Sequence, residues 1–221
     1  MRINANLVGR AISEQQRASS LNVDLSNPKE VARLKYELLQ KLKDLCPDYE
    51  LTDTLKPVLN ALFWWCVMQP GELNPHKGLW LWGNVGTGKT TMLKAVREFC
   101  HDVRPPDLEG NRYGFRLTHV GEVCRDFMDK NYQGVQTYID SSRQAFDDLG
   151  TEPRQLNYYG TVVNVMEYVL LSRYERRDAN FTHVTTNLSP PQIKQVYGVR
   201  VYDRAKEMFN FVEMAGATFR K

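Results

Sequence analysis

One glycine-rich segment, which begins at Gly83, constrains the fold of this chain more than any other feature of its sequence. The segment reads Gly-Asn-Val-Gly-Thr-Gly-Lys-Thr and matches the pattern Gly-x-x-x-x-Gly-Lys-Ser/Thr. The apolar run Lys77–Trp82 precedes it and predicts a strand, and Thr90–Cys100 follows it with the pattern of a helix. A glycine-rich turn that joins a strand to a helix is the arrangement of a P-loop, which belongs to parallel sheets that alternate with helices.

The spacing inside this segment suits phosphate groups. Glycines let backbone N–H groups surround oxygen atoms without steric conflict from Cβ atoms, and a helix N-terminus attracts negative charge. Lys89 is expected to reach the β- and γ-phosphates, and the Thr90 hydroxyl is expected to bind Mg²⁺. A glycine-rich turn without a ligand is the alternative. The sequence therefore predicts a site for a nucleoside triphosphate, above all ATP with Mg²⁺, formed by Gly83, Asn84, Val85, Gly86, Thr87, Gly88, Lys89, Thr90 and Thr91.

An acidic stretch, which starts at Asp147 and ends at Glu152, is the best candidate for the metal and water site. A P-loop enzyme needs a carboxylate at the end of a neighbouring strand to hold Mg²⁺ through water. Asp147 is therefore expected at the metal together with Thr90, and Asp148 is expected to orient or activate the attacking water. Glu152 is a second candidate for the water. Taken alone, the same residues are also typical of a turn with an N-cap.

The chain is expected to change character near residue 70, where Pro70-Gly71 and Asn74-Pro75 interrupt it. Residues 1–70 are predicted to form a helical extension for partner binding or oligomerisation, and residues 71–221 are predicted to form the nucleotide-binding domain. The extension should contain helices from Pro28 onward and over Thr52–Met68.

Beyond the P-loop the pattern alternates between strands and helices, which predicts a parallel sheet covered on both faces. Further strands are predicted over Gly114–Val120, Gln144–Asp147, Phe181–Thr185 and Phe211–Met214. Helices are predicted over Gly121–Asn131, Val162–Arg176, Pro191–Tyr197 and Tyr202–Phe209.

Composition limits the class of protein without fixing its function. Hydrophobic residues make up 42% and charged residues 25% of the 221 residues, as in ordinary globular proteins. The net charge of +3 permits nucleic-acid binding but does not argue for it. The four cysteines form no Cys-x-x-Cys pair, and the longest apolar run, Ala61–Met68, is too short to span a bilayer. We therefore expect a cytoplasmic protein with reduced thiols and no membrane partner.

Several motifs occur in an order that points to one family, namely Gly83–Thr91, Asp147–Glu152, Thr185–Ser189, Tyr197–Arg204 and Gly216–Arg220. Together they resemble the AAA+ ATPases of the DnaC/IstB type, a branch that contains bacterial helicase loaders and transposition ATPases. The resemblance covers roughly residues 72–221. It implies an α/β fold of the P-loop NTPase (AAA+) type, with a parallel five-stranded sheet flanked by helices, no C-terminal lid and a small helical N-terminal extension.

The resemblance also implies roles for residues outside the P-loop. Asn187 matches the polar sensor that hydrogen-bonds the γ-phosphate or the attacking water, with a strand-end turn residue as the alternative. Arg204 matches the arginine that such proteins present to ATP on a neighbouring subunit, and Arg200 competes for that role. For either arginine a surface salt bridge is the alternative. The implied catalytic set is therefore Lys89, Asp148, Asn187, Arg204 and Arg200.

The function implied by the resemblance is that of a slow, oligomer-dependent ATPase that loads or remodels a DNA-bound partner, above all a replicative helicase. Its implied partners are copies of itself joined through the ATP interface, a helicase or transposase, and single-stranded DNA. Arg125–Gln133 and Arg173–Arg177 are candidate DNA contacts, although each is equally compatible with a solvated helix face. The alternatives are an IstB-like transposition ATPase, a nucleotide-sensing scaffold with little hydrolysis, and a small-molecule kinase. Asp148 stands where many AAA+ enzymes have glutamate, which favours slow turnover.

Overall fold

The computed structural model describes residues 23–104, 113–158, 160–178 and 180–216. The start of the predicted extension and the motif residues Phe219 and Arg220 lie outside these ranges. None of the helices within them is long and apolar enough to cross a membrane. In chain order the elements are α1 Pro28–Leu45, α2 Leu55–Cys66, β1 Gly78–Trp82, α3 Lys89–Val103, β2 Arg116–His119, α4 Val120–Asp140, β3 Arg143–Leu149, β4 Leu156–Tyr158, β5 Thr161–Val163, α5 Val165–Glu175, β6 Phe181–Thr186, α6 Pro190–Met208 and β7 Phe209–Glu213.

The first described helix, α1, begins where the sequence places a helix start. The Asn27 side chain accepts a hydrogen bond of 3.0 Å from a backbone N–H of the first turn, and Pro28 occupies that turn. Leu34, Leu38 and Leu42 follow one another at intervals of about one turn, and all three are buried. α1 therefore packs one apolar stripe against the rest of the molecule.

Five strands form one sheet in the order β2-β3-β6-β1-β7, and every neighbouring pair runs parallel. The predicted parallel five-stranded sheet flanked by helices is confirmed. Along β1, Leu79 and Leu81 join the core formed with α1, α2 and α3, whereas Trp80 joins the core formed with α4, α5 and α6. Alternate side chains of the strand that leads into the P-loop thus bury both faces of the sheet.

The N-terminal helices pack directly on the helix that follows the P-loop. Lys41 of α1 forms an ion pair with Asp102 of α3, with 2.6 Å between nitrogen and oxygen. The Arg104 guanidinium, just after α3, donates a hydrogen bond of 2.8 Å to the carbonyl of Trp65 in α2. Both helices share the apolar core beneath β1 and α3. The division predicted near residue 70 stays a prediction, and the described parts on its two sides share this core.

A short hairpin between β3 and α5 was not predicted from the sequence. β4 and β5 pair antiparallel, and β5 takes up the first residues of the helix predicted over Val162–Arg176. The helix begins instead at Val165, because the Asn164 side chain accepts a hydrogen bond of 3.0 Å from the Glu167 N–H. A run as short as Thr-Val-Val is compatible with a strand or with the start of a helix, so hydrophobic periodicity alone did not separate the two.

Two further elements are longer than predicted. The helix after β2 continues to Asp140 as α4, with a break at Asn131, whose φ is 57° and ψ −143°. β3 extends beyond the predicted Gln144–Asp147 at both ends although it carries few apolar residues. Its Gln144 is fully buried, and the amide donates a hydrogen bond of 3.0 Å to the Thr118 hydroxyl of β2. Hydrogen bonding between neighbouring strands thus offsets part of the cost of burying this polar side chain, whose amide oxygen has no hydrogen-bond partner among the described residues.

Candidate nucleotide-binding site

The loop between β1 and α3 turns at three glycines. Gly83, Gly86 and Gly88 have φ angles of 150°, 84° and 81°, and residues other than glycine rarely adopt such positive values. A Cβ atom on Gly83 would lie 2.4 Å from the carbonyl oxygen of Met214, where the chain after β7 bonds to Trp82 at the end of β1. The first glycine therefore permits close packing against that chain, and the other two bend the loop into the start of α3.

The loop holds a buried positive charge beside an uncapped helix N-terminus. Gly88 is the N-cap of α3, and no side chain caps the first N–H groups of that helix. Lys89 is only 5% exposed, and its ammonium donates hydrogen bonds to the carbonyls of Gly83 (2.9 Å) and Asn84 (2.7 Å). Uncapped N–H groups and a lysine charge in one loop suit an anion such as a phosphate.

A cleft of about 260 Å³ opens beside this loop. Asp148 from β3 and Asn187 from the end of β6 line it, as predicted for residues at neighbouring strand ends. Cys46 and Tyr49, in the connection between α1 and α2, form another part of its wall. The predicted P-loop residues that also line the cleft are Val85, Gly86, Gly88, Lys89, Thr90 and Thr91.

The structure brings Thr90 and Asp147 together, as the sequence predicted. The Thr90 hydroxyl donates a hydrogen bond of 2.8 Å to Oδ1 of Asp147. A hydroxyl that donates its proton in this way keeps its lone pairs for a cation, and oxygen donors are the ligands that Mg²⁺ prefers. Within the described ranges, no cluster of three or more His, Cys, Asp or Glu side chains could hold a metal. A cation at Thr90 and Asp147 would therefore need further oxygens, such as those of bound phosphates.

Asp148 owes its place in the cleft to an irregularity in the sheet. The pairing of β3 with β6 shifts register between Phe146 and Leu149, and Asp148 has a φ of 57° at that bulge. Its backbone N–H donates to the hydroxyl of Thr185 in β6, at 2.9 Å. The Asp147 carboxylate hydrogen-bonds to Thr90, whereas Asp148 lines the cleft. The bulge thus gives two consecutive carboxylates two different surroundings.

Four residues of the site had no role assigned from the sequence. Thr185 belongs to the motif quoted for β6, but only Asn187 was singled out there. His119 ends β2, and its Nε2 lies 3.9 Å from Oδ2 of Asp148. Because the carboxyl ends of neighbouring parallel strands meet, the position of His119 could have been inferred from the strand order. Cys46 and Tyr49 carry no local signal, since they reach the cleft only through the packing of α1 on α3.

Glu152, the second candidate for the water, lies elsewhere. It is 5% exposed and accepts hydrogen bonds from the Gly150 N–H (2.7 Å) and from the Tyr197 hydroxyl. Burial, together with the Glu152 carboxylate, raises the pKa of Tyr197 well above its ordinary value, so the hydroxyl remains a donor. Glu152 therefore links the turn after β3 to α6 through hydrogen bonds. Its position does not support the predicted role of activating the attacking water.

Arg200 and Arg204 lie on the second half of α6, after a break at Gly198, whose φ is 85°. Neither arginine lines the cleft of its own chain. The Arg204 guanidinium lies over the Tyr174 ring at 4.5 Å, and its Nη1 is 3.5 Å from Oε1 of Glu207. Arg200 is exposed. An arginine that serves a neighbouring subunit must lie outside its own cleft, so the predicted finger role is compatible with both positions.

One of the two candidate DNA segments contains a structural arginine. Arg173 is fully buried, and its guanidinium donates to the carbonyls of Tyr138 (2.5 Å), Ser141 (2.8 Å) and Phe181 (3.1 Å). Burial lowers the pKa of Arg173 to about 10. The proposed DNA contact by Arg173 is therefore wrong, because the side chain holds together the turns that lead into β3 and β6.

The other candidate DNA segment, on α4, keeps its basic residues in solvent. Arg125 and Lys130 are exposed. Tyr132 is 37% exposed, and its ring packs edge-on against Tyr158 of the hairpin (5.2 Å) and Tyr168 of α5 (5.0 Å). The aromatic ring is thus partly engaged within the protein, whereas the two cations remain available to phosphates.

Comparison with known proteins gives matches among solved structures alone. No protein-family model matches this chain, and no curated protein matches it. A crystal structure of the DnaC helicase loader matches with a TM-score of 0.56 and 22% identity, over 77% of this chain and 96% of that one. A crystal structure of DnaI matches with a TM-score of 0.54 and 22% identity, over 82% of this chain and 93% of that one.

A replication initiator, DnaA, solved with AMPPCP and single-stranded DNA, also matches. Its TM-score is 0.51 at 14% identity, and the match spans 88% of this chain but 52% of that protein. At these identities the likeness establishes the fold. The chain has the AAA+ fold of the DnaC type, and the resemblance inferred from its motifs is confirmed at that level.

Proposed function

We propose that this protein binds and hydrolyses ATP with Mg²⁺ and couples that cycle to loading or remodelling a replicative helicase on DNA. The observation that carries the proposal is the contact between Thr90 and Asp147 beside the loop that holds Lys89. These side chains come from α3 and β3, and the parallel sheet brings them together. They match the phosphate and metal roles of P-loop enzymes.

Lys89 would exchange its loop carbonyls for phosphate oxygens when ATP binds. A phosphate oxygen carries negative charge and a backbone carbonyl oxygen does not, so a triphosphate is the better acceptor for the ammonium. The uncapped N-terminus of α3 favours the same oxygens. The Thr90 hydroxyl and the Asp147 carboxylate are the groups that would hold Mg²⁺. When bound, Mg²⁺ would neutralise charge on the β- and γ-phosphates.

Asp148 and Asn187 would act on the attacking water from neighbouring strand ends. Both line the cleft that contains the loop. The Asp148 carboxylate would accept a hydrogen bond from the water and orient it, and the Asn187 amide would donate to the water or the γ-phosphate. Because β3 and β6 are adjacent in the sheet, one strand end would hold the base and the next would hold the donor.

A neighbouring copy of the chain would complete the site with an arginine. Arg200 is the first candidate, because Arg204 is already stacked on Tyr174 and lies near Glu207. In the part of the chain that the structure describes, Arg200 makes no ion pair, so its guanidinium is available to a partner. Hydrolysis would then depend on assembly, since an arginine finger stabilises charge in the transition state.

The support for a role in replication is the fold shared with a helicase loader, with DnaI and with a DnaA initiator solved with single-stranded DNA. In this proposal single-stranded DNA would contact the exposed Arg125 and Lys130 of α4. An IstB-like ATPase has the same motifs but would pair with a transposase, so identification of the bound protein distinguishes the two.

One observation favours a second candidate, a nucleotide-sensing scaffold that hydrolyses little ATP. Asp148 is one methylene shorter than glutamate, and its backbone is tied to Thr185 at the bulge. A short carboxylate with a fixed backbone has little freedom to approach the water. Such a protein would bind ATP with the affinity expected of a P-loop, and turnover would stay close to background in every assembly state.

The rate of ATP hydrolysis, measured over a series of protein concentrations with and without single-stranded DNA, tests the proposal. We expect specific activity to rise with concentration and to respond to DNA. The variant Arg200→Ala should remove the dependence on concentration while leaving ATP affinity unchanged. Activity that is flat in both variables would favour the scaffold and would remove the loader function.

A further inference from the structure

The hydroxyl of Thr185 occupies an unusual place between the two acidic residues of the site. Thr185 lies in β6, next to β3, and is fully buried. Its hydroxyl donates a hydrogen bond of 2.5 Å to Oδ1 of Asp147 and accepts one of 2.9 Å from the backbone N–H of Asp148. One side chain thus binds the carboxylate of the first aspartate and the backbone of the second.

The bond from Asp148 to Thr185 follows from the bulge in β3. Between Phe146 and Leu149 the ladder with β6 is interrupted, so the Asp148 N–H requires an acceptor other than the β6 backbone. Asp148 also holds a φ of 57°, which is unfavourable for a residue other than glycine and needs support from its surroundings. The Thr185 hydroxyl supplies the acceptor at that point.

The same hydroxyl determines how Asp147 meets Thr90. Oδ1 of Asp147 accepts hydrogen bonds from both threonine hydroxyls, and this fixes the carboxylate between the P-loop helix and β6. The Thr90 hydroxyl keeps its lone pairs free for a cation only while the Asp147 carboxylate is in place to accept the hydrogen bond that this hydroxyl donates. Residues that orient metal-binding groups in this manner commonly change metal affinity by about 10- to 100-fold when they are replaced.

We propose that Thr185 is a positioning residue for the metal and water site, which holds Asp147 toward Mg²⁺ and Asp148 toward the water through one hydroxyl group. The inference rests on the proposed function, because it assumes that Mg²⁺ and ATP bind at the P-loop. Thr185 does not line the cleft. Its effect reaches the ligands only through the two aspartates.

The variants that test this are Thr185→Val and Thr185→Ser. Valine keeps the branched shape and removes the hydroxyl, whereas serine keeps the hydroxyl and removes the methyl group. Thr182→Val is the matched control, because it removes another buried hydroxyl of β6, one that accepts a hydrogen bond from Arg173 at 2.9 Å, away from the cleft. A loss caused by weaker packing of β6 alone should affect this control as well.

The measurement is equilibrium binding of a fluorescent ATP analogue to the full chain, first in Mg²⁺ and then in EDTA. In EDTA we expect the same affinity for all variants, because Lys89 and the loop contact the phosphates. Thr185→Val should lose about tenfold or more of the gain in affinity that Mg²⁺ provides, while Thr185→Ser and Thr182→Val keep that gain. In Thr185→Val we expect kcat to fall and KM to rise in step with the weaker affinity in Mg²⁺, and serine should restore both values.

The outcomes separate the two proposals. If wild-type protein gains no affinity from Mg²⁺, the proposed function itself fails. If wild type gains affinity and Thr185→Val gains as much, Thr185 has no positioning role although the ATP site stands. Should Thr185→Val fail to fold, as judged by its melting curve, the smaller Thr185→Ala variant provides the same comparison. A serine variant that loses as much as valine would also overturn the role of the hydroxyl.

Discussion

Replacement of Arg173 by methionine should destabilise the protein while leaving its ligand sites intact. The guanidinium is fully buried and donates to the carbonyls of Tyr138, Ser141 and Phe181. Methionine fills much of the same space but leaves these three carbonyls without their donor, and the Thr182 hydroxyl and the Ile139 carbonyl lose the same donor. A net loss of about 1 kcal/mol for each bond, with the long bond to Ile139 left out, lowers the free energy of unfolding by about 4 kcal/mol. For a chain of this size that corresponds to a fall in Tm of roughly 8–16 °C.

Thermal unfolding followed by circular dichroism measures this effect, and Arg177→Met is the matched control. Arg177 is exposed and contacts only Tyr174 among the bonds described for it, through the Tyr174 carbonyl and ring, so its replacement should change the free energy of unfolding by about 1 kcal/mol or less. A melting temperature for Arg173→Met within about 2 °C of wild type would refute the structural role assigned to this arginine. A loss of DNA binding by Arg173→Met with unchanged stability would also refute it, since that result would indicate an Arg173 side chain exposed at the surface.

Three further predictions concern the cleft and the core. Asp148→Asn should lower kcat by about 100-fold with unchanged ATP affinity, because the amide cannot accept the proton of the water; equal turnover by the variant in steady-state assays would count against this role. N-ethylmaleimide should alkylate Cys46 before the other cysteines, which are buried, and ATP should slow the reaction, because Cys46 lines the cleft; mass spectrometry of the labelled peptides measures the order, and a rate that ignores ATP would separate Cys46 from the nucleotide. Burial lowers the pKa of His183 to about 3 from its ordinary 6.5, so the folded state stays neutral while the unfolded state gains a proton. The contribution of His183 to the free energy of unfolding should therefore be complete well above pH 6.5 and fall by about 2 kcal/mol at pH 5. Urea titrations measure this free energy, and His183→Asn should lose less of it over the same pH range.

The sequence predicted the parts of the site that depend on local pattern. The segment from Gly83 to Thr91 leads from β1 into the first turn of α3, as its spacing required. Asp147 contacts Thr90 because each lies at a predictable end of its element. A parallel sheet brings its strand ends to one edge, so Asn187 could also be placed correctly without coordinates.

The parts that were missed depend on contacts between distant segments. The role of Thr185 becomes visible only with the register shift that leaves the Asp148 N–H beside its hydroxyl. Arg173 belongs to a sequence run rich in arginine, which is typical of a basic surface patch. Its burial follows from the packing of α5 beside β6 and the turn after α4. Tyr49 reaches the cleft because α1 packs on α3, a contact between parts of the chain that the predicted division near residue 70 placed apart.

The central claim is that ATP binds at the P-loop through Lys89, and equilibrium ATP binding to wild type and Lys89→Ala tests it most directly. Lys94→Ala is the control, because Lys94 lies on the same helix but does not line the cleft. We predict that wild type and Lys94→Ala bind alike, and that Lys89→Ala loses ATP binding, since an alanine removes the only side-chain charge of the loop. Full ATP affinity in Lys89→Ala, with an intact melting curve, would contradict the account of the site.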